Sequence, residues 1–296
     1  ACKHCRMDDP ESARLERIWD TVVGSVTLRA SDLGRQRRFY EEAIGLASVD
    51  AGGGRVELAD AEGRVLIRLD DSTARGSQPL AAPHTGLFHT AFRYADRASL
   101  GAAVARAMDA RATFQGASDH GVSEAVYLAD AEGNGIELYR DRPYVEWPDA
   151  PPGQVGMFTH PLDVAALLED AAARPEVASC DVGHIHLMTA DVERANSFWR
   201  DVVGLDERQR FGPSATFLAE GLYHHHLGAN SWHSAGAPPA PADRPGLDEF
   251  ELRLRSAEAV EEAAGRLESA GLEVERQNGA TTFRDPDSNR VTLRAR

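Results

Sequence analysis

Two rhythms alternate along this chain. In "GSVTLRASDLGRQRRFYEEAIGL" (24–46) a short run of alternating apolar and polar residues gives way to apolar residues at helical spacing, ending at a Gly-Leu pair. Period two is the mark of a strand with one buried face, and a period near 3.6 marks an amphipathic helix. An Asp stands between the two segments, where a helix needs a side-chain acceptor for its first free N–H groups. "GHIHLMTADVERANSFWRDVVGL" (183–205) repeats the pattern without a gap, sharing Gly, Leu, Asp, Arg, Phe, Gly and Leu in register. Asp32 and Asp191 therefore read as N-caps, and Phe39, Tyr40, Phe198 and Trp199 as helix faces packed on a sheet.

Further repeats complete the picture. "LADAEGRVLIRL" (58–69) and "LADAEGNGIELY" (128–139) share the turn "ADAEG" with a strand on each side, and "FRDPDSNRVTLRA" (283–295) is a third copy. "GLFHTAFRY" (86–94) and "GLDEFELRL" (246–254) are matching strands, each followed by a helical segment. The chain thus divides into four βαβββ units at 20–70, 86–140, 181–232 and 246–295. One such unit cannot cover its own apolar sheet face. Four units predict an α+β fold of two cupped mixed sheets with helices outside. The expected organisation is a tail at 1–19, an N-terminal domain at 20–140, a connector at 141–180 and a C-terminal domain at 181–296. The connector is Pro-rich at its start and reads as helical over "LDVAALLEDAAA".

Composition narrows the function. The 296 residues are 42% hydrophobic and 27% charged, an ordinary globular balance, and carry a net charge of −15. So acidic a chain lacks the basic face that phosphate binding requires, which argues against nucleic acid. No apolar run approaches the ~18–20 residues needed to cross a bilayer, and no signal peptide precedes the first strand, so a cytoplasmic protein is expected. Cys2 and Cys5 flank His4 in a lone CxxC with no second pair to complete a zinc site, and read as a frayed tail.

Some strands hold polar residues where apolar ones belong. His89 interrupts "GLFHTAFRY" and Glu137 interrupts "GNGIELYRD". A single strand histidine is ordinarily a satisfied structural residue, so the meaning lies in how these residues are distributed over the units.

The repeated βαβββ plan resembles the vicinal oxygen chelate superfamily, which includes glyoxalase I, bleomycin-resistance proteins and type I extradiol dioxygenases. The strings "DHGVSEAVYLADAEGNGIELYRDRP" (119–143), "GHIHLMTADVERANSFW" (183–199) and "GLYHHHLGANSW" (221–232) are most similar to the two-domain catechol 2,3-dioxygenase group. In that superfamily a divalent metal binds on the inner face of the cup, at positions on the first and last strands of each unit. Carried over, those positions hold Ser25 and Ile67 in unit one, His89 and Glu137 in unit two, His184 in unit three, and Glu249 and Thr292 in unit four. Only units two and three together supply two histidines and a carboxylate, the set that extradiol enzymes use with Fe(II). The resemblance therefore implies metal ligands His89, Glu137 and His184, with units two and three sharing one cup and units one and four sharing the other. A cup formed between two chains of a homo-oligomer is the alternative. His186 shares a strand face with His184 and competes for its role, and the "GH" of the motif favours His184.

The resemblance also implies the remaining machinery. His224, His225 and His226 run together on the last strand of unit three, and His225 is the expected partner of O₂. His120 and Tyr127 match the acid/base histidine and the tyrosine that attend the substrate hydroxyl. The implied reaction opens a small aromatic diol with O₂ to a muconic semialdehyde, with Mn(II) as the alternative to Fe(II). Two rival readings share the scaffold: a glyoxalase-like isomerase or transferase with a fourth metal ligand from the His224–His226 run, and a non-catalytic binding protein of the bleomycin-resistance kind.

Overall fold

The computed structural model describes residues 23–296. The Cys2–Cys5 pair and the tail at 1–19 lie outside the described residues.

Each unit builds the same path. Unit one has β1 (Val23–Arg29), α1 (Leu33–Phe39), β2 (Ala47–Gly52), β3 (Arg55–Ala59) and β4 (Val65–Asp70). Unit two has β5 (Gly86–Tyr94), α2 (Arg97–Asp109), β6 (Thr113–Asp119), β7 (Ser123–Ala129) and β8 (Gly135–Asp141). The connector contributes β9 (His160–Pro161) and α3 (Val164–Glu169). Unit three has β10 (Asp181–Met188), α4 (Val192–Ser197), β11 (Asp206–Phe211), β12 (Ala215–Ala219) and β13 (Leu227–Asn230). Unit four has β14 (Gly246–Leu254), α5 (Ala257–Ser269), β15 (Glu275–Gln277), β16 (Ala280–Arg284) and β17 (Arg290–Ala295).

The caps and exits follow from the sequence pattern. Asp32, Asp96, Asp163 and Asp191 each accept the backbone N–H three residues on, and Ser256 does the same for α5. In units one and three the helix runs on into a π-turn, Tyr40–Ile44 and Phe198–Val203. Each π-turn closes on a glycine of the Gly-Leu pair, Gly45 at φ 87° and Gly204 at φ 99°. Only glycine takes that left-handed conformation without steric cost.

The described strands form two mixed sheets. One has eight strands in the order β15-β16-β17-β14-β1-β4-β3-β2, and the other nine in the order β11-β12-β13-β10-β5-β8-β7-β6-β9. Units one and four share the first sheet, and units two and three share the second. In both, the first strands of the paired units meet antiparallel at the centre: β1 with β14 and β5 with β10. Helices of units that lie in different sheets pack together, so one apolar core contains Val26, Phe92, Ile185 and Phe250 from all four units.

The repeated turn works as a latch. Asp130 accepts backbone N–H groups of Glu132 and Asn134 within its turn, and Asp285 does the same with Asp287 and Asn289. Glu132 then reaches across to accept from Ser31 and Asp32 at the start of α1. Asp287 accepts from Ala190 N and from Arg194 at the start of α4. The turn of each even-numbered unit thus holds the helix entrance of the unit before it.

Two expectations are corrected here. A register shift between Leu58 and Ala59 pairs Leu58 with Ile67, whereas Leu128 pairs with Ile136. The slip turns Ile67 into the core and puts Arg68 on the cup face, where it hydrogen-bonds to Ser25 and Glu57. In the connector the α-helix spans only Val164–Glu169, and a single 3₁₀ turn at Tyr144–Glu146 precedes it. Its capping Asp163 and its packing on α2 stand in for a longer helix. Gly101 makes that contact possible, because a Cβ there would sit 2.6 Å from the Leu167 carbonyl oxygen.

The cup of units one and four is filled by its own polar pairs. Thr292 Oγ1 donates to Glu249 at 2.7 Å, and Arg290 pairs with Glu249 at 3.1 Å.

Candidate metal centre and active site

Alternation along the strands of the nine-stranded sheet builds the other cup. His89 and Ala91 on β5, Ala125 and Tyr127 on β7, and Glu137 and Tyr139 on β8 face the concave side. Phe92, Val126 and Leu138 face the core. His89, Glu137 and His184 converge there, all three buried. Glu137 Oε2 lies 3.0 Å from His89 Nε2 and 3.1 Å from His184 Nε2, and the two Nε2 atoms are 3.4 Å apart. All three residues belong to one chain, so this cup needs no second protomer.

The donor set fits a divalent ion. Three atoms on one face of an octahedron with bonds of ~2.1 Å lie ~3.0 Å apart, close to the separations observed, and two imidazoles with one carboxylate form the facial set of open non-haem iron sites. The electrostatics agree. Burial alone would raise the Glu137 carboxyl, but the two imidazoles outweigh it and hold it well below the usual carboxylate range. Burial pushes His184 down to about 4 against the pull of Glu137, so its ring is neutral and available as a ligand at neutral pH. Packing holds that ring in place, with Tyr139 at 4.9 Å and His225 at 4.2 Å between centroids.

His186 points into the same cup but is engaged elsewhere. Asn230 Oδ1 accepts the Trp232 N–H, which turns the Asn230 amide nitrogen toward His186 Nε2 at 3.1 Å. His186 Nε2 is therefore an acceptor already used. His184, whose Nε2 faces Glu137, is the histidine placed to bind a metal.

A cavity of about 490 Å³ opens above the three residues. One wall is polar: Gln115, Ser118, His120, Ser123, Tyr127 and Thr159. The other is apolar: Phe88, Met188, Phe211, Phe217 and Trp232. On the polar wall His120 Nδ1 lies 2.8 Å from the Phe158 carbonyl oxygen and Nε2 lies 2.7 Å from the Tyr127 hydroxyl. A carbonyl can only accept, so in the neutral ring Nδ1 carries the proton and Nε2 accepts from Tyr127. Burial, reinforced by the charge of Glu137, raises Tyr127 well above the ordinary phenol range, so its hydroxyl stays protonated.

The three consecutive histidines sit in the turn before β13 and not on the strand itself, which starts at Leu227. Strand alternation therefore does not govern them. His224 hydrogen-bonds to Asp141 at 2.9 Å beneath the cup, and His225 lines the cavity. His226 stacks on Tyr223 and accepts the Glu220 N–H. The cluster of ligand atoms lying within 4.8 Å of one another contains His89, Glu137 and His184 and does not extend to His225.

Residues 181–293 match the model of the Glyoxalase/Bleomycin resistance protein/Dioxygenase superfamily, and residues 25–139 match that of a glyoxalase-like domain. The chain is 36% identical over 273 residues to the catechol-2,3-dioxygenase of Bacillus subtilis (strain 168), covering 91% of this chain and 95% of that protein. The chain belongs to the glyoxalase/bleomycin resistance/dioxygenase superfamily.

Within this superfamily it is also similar to the manganese-dependent 2,3-dihydroxybiphenyl 1,2-dioxygenase of Geobacillus genomosp. 3. The identity is 33% over 93 residues, covering 31% of this chain and 27% of that relative. Glyoxalase I from Zea mays has the same fold, with a TM-score of 0.56 at 14% identity over 93% of this chain and 92% of that one. What the superfamily plan does not predict is the connector's part in the cup. The connector crosses the mouth and supplies Met157, Thr159 and the Phe158 carbonyl that orients His120. Its irregular, Pro-rich sequence carries no periodic signal for this role.

Proposed function

We propose that this protein is an extradiol ring-cleaving dioxygenase that uses Fe(II), with Mn(II) as the alternative metal, to open a catechol-type diol with O₂ to a muconic semialdehyde. The observation that carries the reading is the convergence of two imidazoles and one carboxylate beneath a cavity that has a proton acceptor on its wall. His89, His184 and Glu137 hold the metal. When bound, it supplies a common site for the diol oxygens and O₂ and a route for charge between them.

The chain's own residues do the rest. A substrate hydroxyl that displaces Tyr127 as donor to His120 Nε2 can pass its proton there, because Nδ1–H is anchored on the Phe158 carbonyl and the ring cannot turn away. Tyr127 keeps its own proton and donates a hydrogen bond into the site. The aromatic wall of Phe88, Phe217 and Trp232 presses on the ring face and keeps water out. Among the described residues lining the cavity none is Lys or Arg, and Glu137 is the one carboxylate. An uncharged diol suits that lining. A three-residue ligand set also weighs against the four-ligand glyoxalase reading.

Loading with Fe(II) under anaerobic conditions, followed by a panel of catechols and O₂, tests the reading. A yellow ring-fission product with matched O₂ uptake is expected. Metal binding with no uptake across the panel would reject it.

A further inference from the structure

The cavity over the metal residues adjoins a second one. Leu87, Gly133 and Met188 line both it and a neighbouring cavity of about 390 Å³. The two meet beside the Gly86–Met188 pair, where β5 starts and β10 ends. A Cβ added to Gly133 would meet no described atom within 4 Å beyond its chain neighbours, so space is open at the junction. Leu87 and Met188 make the neck apolar.

The second cavity is a cleft framed by two linkers, 71–85 between units one and two and 233–245 between units three and four. Pro79 and Leu80 line it from the first linker, Pro239 and Ala240 from the second. The walls are tied together. The Thr85 N–H donates to the Pro238 carbonyl at 3.0 Å, and Arg29 Nε, at the end of β1, donates to the Arg244 carbonyl at 2.9 Å. The fixed φ of proline stiffens both linkers, so the cleft is formed before a ligand enters it. Its charges are already matched. Arg29 pairs with Asp248 at 3.1 Å, Arg284 donates to the Ser288 carbonyl, and Glu132 and Asp287 accept from the entrances of α1 and α4. An ionised group entering the cleft would find each of these counter-charges taken, whereas an uncharged hydrogen-bonding group would not need one.

Cavities of ~300–1,000 Å³ hold drug-sized ligands. A bare catechol is far smaller than such a ligand and leaves the 490 Å³ over the metal residues partly unfilled. We propose that the cleft is a subsite for the tail of the substrate: the diol carries a long substituent, apolar where it passes Leu87 and Met188, and uncharged but hydrogen-bonding at its far end. The inference rests on the dioxygenase reading for the diol head and on the joined cavities for the tail.

The test uses catechols carrying a methyl, octyl or 8-hydroxyoctyl group at ring position 3 or 4, with the parent, L80W and A240W. Leu80 and Ala240 line the cleft and not the cavity, so each substitution fills the cleft from one linker and leaves the metal cup alone. Calorimetric titration of the metal-free protein without O₂ and kcat/KM of the iron-loaded protein are read in parallel. In the parent, at least one octyl isomer should bind about tenfold or more tightly than its methyl counterpart, from the apolar surface it buries, and the matching 8-hydroxyoctyl compound should keep that gain. L80W and A240W should each lose the gain and bind the methylcatechols within about twofold of the parent. Binding that does not rise from methyl to octyl, a gain that either variant keeps in full, or a tenfold loss on adding the terminal hydroxyl would overturn the inference. The two readings fail separately. The expected binding without cleavage of any catechol would sink the dioxygenase reading alone, and cleavage of methylcatechols with no gain from the octyl chain would sink this inference alone.

Discussion

Glu137→Gln separates a metal ligand from a structural carboxylate. In the metal-free protein Glu137 accepts from two buried imidazoles at 3.0 and 3.1 Å. A hydrogen bond to a charged group contributes ~1.5–3 kcal/mol and a neutral one ~1 kcal/mol, so the amide forfeits ~1–4 kcal/mol over the two contacts. Against this, the variant no longer keeps an ionised carboxylate out of water, a cost of similar size. The two nearly cancel. The metal-free variant should therefore lie within about 2 kcal/mol of the parent, a melting shift of at most ~8 °C at ~2–4 °C per kcal/mol for a chain of this size class. Metal binding has no such compensation, because the one anionic ligand is gone. Loss of partners that merely orient ligands already costs ~10–100-fold in affinity, so loss of a ligand should exceed 100-fold. Chelator competition with Mn(II), beside calorimetry of the metal-free forms, measures both quantities. A variant that melts far below the parent yet keeps parental metal affinity would refute the reasoning.

Other expectations follow from the same geometry. The His184 ring titrates near 4 in the folded protein against ~6.5 unfolded, so the stability it contributes is present above pH 6.5 and is lost as pH falls toward 4. Chemical denaturation of the metal-free parent and H184Q across that window isolates the group: the stability difference between them should shift by about 3 kcal/mol against the parent as pH falls, and a pH-independent difference would contradict it. In Gly183→Ala the new Cβ would lie 1.8 Å from the Tyr139 hydroxyl, which is buried and bonded to Tyr223, so ~1–3 kcal/mol of destabilisation is expected in the melting curve. Burial pushes the Cys180 thiol far above its ordinary value, so peptide mapping after alkylation at pH 8 should find Cys180 unlabelled until the chain is unfolded. With no Lys or Arg among the described residues of the lining, kcat/KM for uncharged catechols should exceed that for carboxylated ones at least about tenfold, and equal rates would contradict it.

The parts of the fold that were legible in the sequence are those written in repeats. The "ADAEG" turns and the Asp-capped helices recur because each unit solves the same local problem, and aligning them brought His89, Glu137 and His184 to equivalent strand positions. The pairing of units two and three was legible for the same reason, since only those two carry polar residues at these positions. Three features were not legible. A one-residue register slip between β3 and β4 exchanges Ile67 for Arg68, and strand periodicity alone does not mark a bulge. The turn carrying His224–His226 follows no period, so strand alternation does not fix which of the three faces the cavity. The Phe158 carbonyl and Asp141 act through backbone position and a long-range hydrogen bond, and neither leaves a pattern in residue type. Among the described residues no helix is long and apolar enough to cross a membrane.

The central claim is that His89, Glu137 and His184 form one catalytic metal site. Stoichiometric Fe(II) binding measured anaerobically in the parent, H89A and H184A, with catechol-dependent O₂ uptake read on the same samples, tests it most directly. The account predicts one iron per parent chain with uptake, and loss of both in each variant. Full iron occupancy in both variants would contradict it.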